Sequence, residues 1–161
     1  MYRNWNSDGP TMPQVYQKIG LTVDDKDAWD FKKYSPKVVS IALGTNDFSK
    51  GDGKKARLPF DSAAFVSHYI DFVNLVQTKY PTTQIALLSS PMVHDNARTL
   101  LQNCLTAVKT SVDAQHATSK PVAIYFFKPM QPRGCAGHPS VEDHALLAEE
   151  LTPFFKNLMG K

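Results

Sequence analysis

The chain has 161 residues, of which 42% are hydrophobic and 20% are charged. This balance is typical of one folded domain spanning residues 1–161 and excludes intrinsically disordered and fibrous proteins. The net charge of +3 at pH 7 is small and the basic residues are spread along the chain, so we expect no nucleic-acid partner. No apolar run approaches the roughly 18 residues of a membrane span, so we expect no membrane partner. Residues 1–20 also lack the apolar stretch of a signal peptide.

The first half of the chain predicts a short helix, a strand and a long helix. The short helix covers about residues 12–19. Residues 38–43, VVSIAL, form an apolar-rich run with β-branched side chains and predict a strand buried on both faces. Asp61 can cap a helix over residues 62–80, which Pro81 ends. The apolar residues that recur at helical spacing, and are predicted to face the core, are Phe65, Tyr69, Phe72, Val73 and Val76.

The second half continues the alternation of strands and helices. Residues 84–90 and 121–127 predict two more buried strands, and residues 95–115 predict an amphipathic helix between them. Ser140 and Asp143 have the spacing of a capping box that opens a last helix. The residues of that helix predicted to face inward are Val141, Ala145, Ala148, Leu151, Phe155 and Leu158.

Strands that alternate with helices predict right-handed crossovers, a parallel sheet and therefore the α/β class. The first strand has the composition of an interior strand, yet only two strands follow it and none is predicted before it. Its open edge would favour pairing with another chain. Either a partner covers that edge, or a segment that belongs before residue 1 completes the sheet.

The cysteines and histidines give no metal site. Cys104 and Cys135 lie about 30 positions apart, and the 5 histidines form no HxxxH or HExxH pattern. The two cysteines can form one disulfide, typical of an oxidising compartment, or remain two free thiols. Both possibilities stay open at this point.

Two loops follow the carboxyl ends of predicted strands. GTNDF (44–48) follows the first strand, and KPMQPRGCAGH (128–138) follows the third. Ligands of open parallel sheets bind in the crevice at this rim. The topology therefore places Asn46 and His138 on the same side of the sheet, although they are far apart in the chain.

The two side chains have complementary chemistry. His138 precedes Pro139 and a helix N-terminus, which favour an extended backbone and a neutral ring that can act as a general base. Asn46 offers a side-chain N–H that can stabilise an oxyanion during acyl transfer. A structural histidine and a simple turn at GTND are the alternatives for each residue alone.

Three stretches, taken in order, resemble a known family. GTNDF (44–48) and GCAGHPSVEDH (134–144) resemble the third and fifth sequence blocks of the SGNH, or GDSL-type, hydrolases. YRNWNSDGPTMPQVYQKI (2–19) is similar to the carbohydrate esterase family 2 branch of acetyl esterases. The resemblance implies a flavodoxin-like three-layer α/β/α (SGNH hydrolase) fold with a central parallel sheet. It also implies a secreted serine esterase that removes O-acetyl groups from carbohydrates without a metal or another cofactor.

The resemblance assigns roles to individual residues. Asn46 corresponds to the oxyanion-hole asparagine and His138 to the catalytic base. Tyr2 and Gly44 are assigned to substrate binding. Asp47 corresponds to the aspartate of the motif, for which holding the loop is a more plausible role than chemistry.

The chain departs from the family at two places. The first block, a Gly-Asp-Ser that carries the nucleophile, is absent. Ser90 ends the middle strand on the correct rim and is the candidate nucleophile within the chain, but it lacks the flanking glycines of a sharp nucleophile turn. The acid that usually precedes the histidine is also replaced, by Cys135 and Ala136. A serine–histidine dyad oriented by a backbone carbonyl would fit this pattern.

The leading hypothesis is therefore an N-terminally truncated acetyl esterase. Its nucleophile would lie upstream of this chain or on a partner segment, and it would pair with a second copy or with a separate N-terminal segment. The alternative is a non-catalytic remnant that acts as a carbohydrate-binding or self-associating module.

Overall fold

The computed structural model describes residues 1–20 and 22–161. From residue 38 onward, strands alternate with long helices as the sequence predicts, and one helical turn that the sequence did not predict follows the first strand. The elements, in chain order, are α1 (Met12–Val15), β1 (Val38–Ile41), α2 (Thr45–Phe48), α3 (Ser62–Lys79), β2 (Gln84–Leu88), α4 (Asp95–Gln115), β3 (Ala123–Tyr125) and α5 (Val141–Leu158), with 3₁₀ turns at Phe31–Lys33 and Cys135–Gly137.

The three strands form one parallel sheet in the order β1-β2-β3. Val39 of β1 is in register with Ile85 of β2, and Leu87 of β2 is in register with Ile124 of β3. The prediction of the α/β class with a central parallel sheet is confirmed. Among the described residues, β1 pairs with β2 alone, so its other edge is free. Parallel order places the loops after β1, β2 and β3 on one rim.

Helices α3 and α4 cover one face of the sheet and enclose the core. The five α3 residues predicted to face inward are all buried, which confirms that prediction. Asp61 caps α3 as predicted, because its carboxylate accepts a hydrogen bond from the N–H of Ala64 at 3.0 Å. The buried residues of α4 that meet this face are Leu101, Cys104, Leu105, Val108 and Val112.

Helix α5 lies on the sheet near β3. The Tyr125 ring packs against the Phe154 ring at 5.1 Å between centroids, and its hydroxyl donates to Glu150 Oε1 at 2.9 Å. The prediction that Val141, Ala145 and Ala148 face inward is wrong, because all three are exposed, Val141 to 81%. The other three residues predicted to face inward are half-buried: Leu151, Phe155 and Leu158. Helical spacing identifies residues that share a face, but it does not say how much of that face a neighbour covers.

Four predicted elements are shorter than expected, and two of them are β1 and β2, which end at Ile41 and Leu88 rather than at residues 43 and 90. Helix α1 ends at Val15, and Lys18 instead forms an isolated antiparallel bridge with Ala28. Strand β3 keeps residues 123–125. Among the described residues it pairs with β2 alone, and β2 itself ends at Leu88. Within the described residues, no helix combines the length and apolarity needed to cross a membrane.

Candidate active site

The loop after β1 turns sharply at Gly44. Its φ of +132° lies in a region that side chains rarely adopt, and a Cβ there would lie 3.0 Å from Leu101 Cδ1 and 3.4 Å from Phe65 Cζ. Glycine is therefore required for both conformation and space. The N–H of Asp47 donates to the Gly44 carbonyl at 2.9 Å, which closes the single turn of α2. This tight turn sets the direction of Asn46.

Asn46 is exposed and its backbone is held from two sides. Its carbonyl accepts hydrogen bonds from Arg57 Nη1 at 2.8 Å and from Ser49 Oγ at 3.0 Å. Among the described residues, nothing hydrogen-bonds to its side-chain amide. The amide N–H therefore has the freedom that an oxyanion donor needs.

Asp47 is fully buried and ties the start of the chain to this loop. Its carboxylate accepts hydrogen bonds from the backbone N–H groups of Tyr2 and Arg3, each at 2.9 Å, and from the Met1 nitrogen. Three donors from consecutive residues satisfy a charge that would otherwise be costly to bury. Asp47 thus holds residues 1–3 against the loop that carries Asn46.

Tyr2 lies in an aromatic cluster beside this loop. Its ring stacks on His68 at 6.1 Å between centroids and meets the edges of Phe60 and Phe65. Its hydroxyl oxygen accepts a hydrogen bond from the N–H of Asp61 at 2.9 Å. These contacts fix the ring, while the predicted contacts of Tyr2 and Gly44 with substrate remain predictions.

Ser90 joins two of the rim loops. It is 8% exposed, and its Oγ accepts hydrogen bonds from Thr45 Oγ1 at 2.8 Å and from the N–H of Met92 at 3.1 Å. Among the described residues, no hydrogen bond connects Ser90 with His138. The geometry gives Ser90 a role in holding the GTND loop against the end of β2.

His138 sits at the end of the third rim loop and is exposed. Its backbone is extended, with φ −99° and ψ 160°, as the following Pro139 predicts. The His138 N–H donates to the Cys135 carbonyl at 3.1 Å, and its carbonyl accepts from the Gly134 N–H at 2.8 Å. The imidazole is thus displayed on a compact loop of residues 134–138.

Asp143 holds this loop from the first turn of α5. Its carboxylate is 1% exposed and accepts hydrogen bonds from the N–H groups of Ser140 and Arg133, at 2.9 and 2.8 Å, and from Arg133 Nε at 2.6 Å. The sequence identified the capping box of Ser140 and Asp143, which is confirmed. The sequence did not identify the hydrogen bonds from Arg133 to the Asp143 carboxylate, because they form only when the loop is folded.

The hydrogen bonds to Asp143 predict a loss of stability in acid. The N–H groups of Ser140 and Arg133, followed by the Arg133 guanidinium, lower the pKa of Asp143 from 3.8 to about 2. Because the folded chain has the lower pKa, the unfolded chain binds the proton first on acidification. The stabilisation is complete above pH 3.8 and is lost as the pH falls towards 2.

We therefore expect Asp143→Asn to be less stable than the native chain at pH 6, with the difference shrinking between pH 4 and pH 2. Urea unfolding across this pH range measures it. Glu149→Gln, an exposed position on the same helix, is the matched control and should change stability little at any pH. A difference between Asp143→Asn and the native chain that does not change with pH would contradict the assignment.

The two cysteines are free thiols. Cys104 is buried in the core on α4, whereas Cys135 is exposed on the His138 loop. Burial raises the pKa of the Cys104 thiol. The sequence left open a disulfide or two free thiols, and the structure shows two free thiols.

Hydrogen bonds connect the three rim loops. Thr45 reaches Ser90 in the second loop, and the Met130 N–H in the third donates to the Pro91 carbonyl at 3.0 Å. Neighbouring strands lie about 4.8 Å apart, so the carboxyl ends of β1 and β3 are separated by about 10 Å. The loops of Asn46 and His138 therefore flank the end of β2 on one rim.

Two cavities adjoin the start of the chain. The smaller one, of about 420 Å³, is lined by Asn46, Gly44 and Ala42 together with Arg3 and Met12. The larger one, of about 1160 Å³, lies between residues 1–14 and 55–62. Within residues 1–20 and 22–161, no group of three or more His, Cys, Asp or Glu side chains is arranged to hold a metal ion.

Comparison with known proteins identifies the family. No protein-family model matches the sequence. The chain is 34% identical over 137 residues to the cellulase/esterase CelE of Acetivibrio thermocellus, which covers 82% of the chain and 16% of that protein. It is 25% identical over 162 residues to an acetylxylan esterase / glucomannan deacetylase of Cellvibrio japonicus, covering 99% of the chain and 42% of that protein.

Solved structures agree with these relatives. A family two carbohydrate esterase from Cellvibrio japonicus superimposes with a TM-score of 0.82 and 26% identity, covering 98% of this chain and 44% of that one. One from Clostridium thermocellum, in complex with cellohexaose, gives 0.78 and 30%, covering 96% of this chain and 45% of that one. The chain belongs to carbohydrate esterase family 2.

Membership of carbohydrate esterase family 2 confirms the resemblance and the SGNH-type fold predicted from the sequence. The chain spans less than half the length of the relatives it matches. The relatives are carbohydrate esterases, which supports an esterase function in general. The roles of individual residues of this family 2 chain remain predictions.

Proposed function

We propose that this chain supplies the base and the oxyanion donor of an extracellular esterase that removes O-acetyl groups from carbohydrates. The observation that carries the proposal is the placement of the Asn46 and His138 loops on one rim of the parallel sheet. The family supports the reaction class. The acetylated carbohydrate is the proposed substrate, since the Cellvibrio relative is an acetylxylan esterase / glucomannan deacetylase.

The proposed reaction is acyl transfer through a serine. The serine Oγ attacks the acetyl carbonyl while the His138 ring takes its proton, and the Asn46 N–H stabilises the oxyanion that forms. The protonated ring then gives its proton to the departing sugar oxygen. Water, activated by the same ring, attacks the acetyl-enzyme and releases acetate and the free serine.

The nucleophile in this proposal lies outside the chain. Ser90 is the candidate within it, but its Oγ already accepts hydrogen bonds from Thr45 and Met92. The relatives are more than twice as long as the matched segment. We infer that the nucleophile comes from an additional segment, which is either covalently joined to this chain or separate from it.

The free edge of β1 is the proposed place for that partner. Ser40 and Ala42 at this edge are exposed, so small side chains leave the backbone accessible for pairing. Sedimentation equilibrium should show either a dimer or a stable complex with the added segment. A well-folded monomer that hydrolyses esters without an added segment would contradict this part of the proposal.

A serine-directed probe tests the position of the nucleophile. We expect the purified chain alone to show neither hydrolysis of 4-nitrophenyl acetate nor labelling by a fluorophosphonate, because its own serines are not activated. Intact-mass measurement detects the label, and Ser90→Ala is the matched variant. Labelling of the native chain that Ser90→Ala abolishes would overturn the proposal, and binding of carbohydrate without turnover in the complete protein would favour the non-catalytic module.

A further inference from the structure

The larger cavity is continuous with the surroundings of the candidate site. Its walls come from residues 1–14 on one side and from residues 55–62 on the other. It shares Met1, Arg3, Asn4 and Thr11 with the smaller cavity that Asn46 lines. A ligand that extends beyond Asn46 in this direction would therefore enter the larger cavity.

The guanidinium groups of Arg3 and Arg57 line this cavity, and neither has a carboxylate partner among the residues that the structure describes. Arg3 donates from Nη1 to the Leu58 carbonyl at 2.7 Å and from Nη2 to the carbonyl of Asp47. Among the described residues, the Arg3 Nε is buried without an acceptor, and no salt bridge involves Arg3. Backbone carbonyls carry no net charge, so they orient the guanidinium without neutralising it. The Tyr2 and Phe60 rings lie 5.0 and 5.9 Å from Arg3 Cζ and stabilise the cation through cation–π contacts, but they add no negative charge.

Arg57 is held in the same way from the opposite wall. Its Nη1 donates to the Asn46 carbonyl at 2.8 Å, and its Nη2 donates to the carbonyls of Asn4 and of Trp5, the latter at 3.2 Å. Within the described part of the chain, no carboxylate lies at salt-bridge distance from Arg57. Its bond to Asn46 places this second charge next to the proposed oxyanion donor.

The remaining charged groups of the walls do not cancel these two. Lys55 forms an exposed ion pair with Asp8. Asp61 is the one carboxylate of the described wall, and it accepts the N–H of Ala64 as the cap of α3. His68 is stacked flat on Tyr2. The cavity therefore favours an anion, and two preorganised guanidiniums suit a carboxylate through planar, charge-assisted hydrogen bonds.

The uncharged walls suit a sugar. Amide and hydroxyl side chains of Asn4, Asn6 and Thr11 line the cavity together with the aromatic side chains of Tyr2 and Phe60. We propose that this cavity binds a carboxylate-bearing sugar unit of the uronic acid class. If the proposed esterase function holds, this unit would neighbour the acetylated one, since Arg57 contacts Asn46 directly. The enzyme would then select acetylated chains that carry acidic sugars.

Binding of D-glucuronate, measured by NMR titration or calorimetry, tests the inference without any ester. We expect glucuronate to bind at least about tenfold more tightly than glucuronamide, its uncharged analogue, because the amide loses the charge-assisted hydrogen bonds. Added NaCl should weaken glucuronate binding and leave glucuronamide binding unchanged. Since no acetyl group is hydrolysed, the result is independent of whether the chain is an esterase.

Variants locate the site. Arg57→Gln should weaken glucuronate binding about tenfold or more, whereas Lys26→Gln, at an exposed position outside both cavities, should not. If Arg57→Gln does not fold, the affinities of the native chain for glucuronate and glucuronamide still test whether the cavity recognises the carboxylate. Equal affinity for glucuronate and glucuronamide would overturn the proposal. Binding of acetate as tight as that of glucuronate would overturn the assignment to a sugar.

Discussion

Asp47→Ala is expected to lower the free energy of unfolding by about 3–5 kcal/mol, because it leaves at least two backbone N–H groups without an acceptor, at about 1–3 kcal/mol each. The carboxylate is fully buried and accepts hydrogen bonds from three consecutive backbone nitrogens. Alanine would leave these donors without an acceptor in a site closed to water. Urea unfolding followed by circular dichroism measures the loss.

Two further variants separate the hydrogen bonds from the charge. Asp24→Ala removes an exposed carboxylate from another loop and should change stability by less than about 0.5 kcal/mol. Asp47→Asn keeps one acceptor oxygen and should fall between Asp47→Ala and the native chain. If Asp47→Ala unfolds at the same urea concentration as Asp24→Ala, the three hydrogen bonds do not stabilise the fold as inferred.

His138→Ala is expected to lower the rate of acetate-ester hydrolysis by about 10²–10⁴-fold in the protein that includes the nucleophile, since a general base contributes this much. Asn46→Ala should lower kcat by about 10²–10³-fold, the effect of losing one oxyanion donor. Both side chains are exposed, so neither change should unfold the chain. Initial rates with 4-nitrophenyl acetate and with an acetylated oligosaccharide measure the effects.

His144→Ala provides the matched histidine control. His144 is also exposed, and it lies six positions further on, in α5. We expect it to keep nearly full activity, because its place on the helix is outside the His138 loop. Activity of His138→Ala within twofold of the native protein would remove His138 from the proposed mechanism.

The local pattern of residues was sufficient to predict the main helices and strands and to recognise the family. The helical spacing in residues 62–80 predicted the buried face of α3 correctly, because tight packing against a sheet requires apolar groups at that period. The run at 38–43 predicted a strand, and the polar loops after the strands fell on one rim because parallel order requires it. The GTNDF and GCAGHPSVEDH motifs were enough to recognise the SGNH hydrolases, and residues 2–19 narrowed the resemblance to carbohydrate esterase family 2.

The contacts that hold the loops of the candidate site in place could not be predicted from the local sequence pattern. Asp47 and Tyr2 are 45 positions apart, and Arg57 and Asn4 are 53 apart. A side chain's hydrogen-bonding partner is set by how distant loops meet, and a local pattern carries no such information. The same reason applies to Val141, whose exposure depends on what covers α5.

Residue order and periodicity in this chain were enough to establish a parallel α/β sheet and to predict an amide and an imidazole at its rim, because strand direction and helical faces follow from local chemistry. Folding added the buried carboxylates of Asp47 and Asp143, the free thiols, and two guanidiniums that form no salt bridge within the described part of the chain. These features depend on burial and on long-range distances, which arise only when the loops pack together.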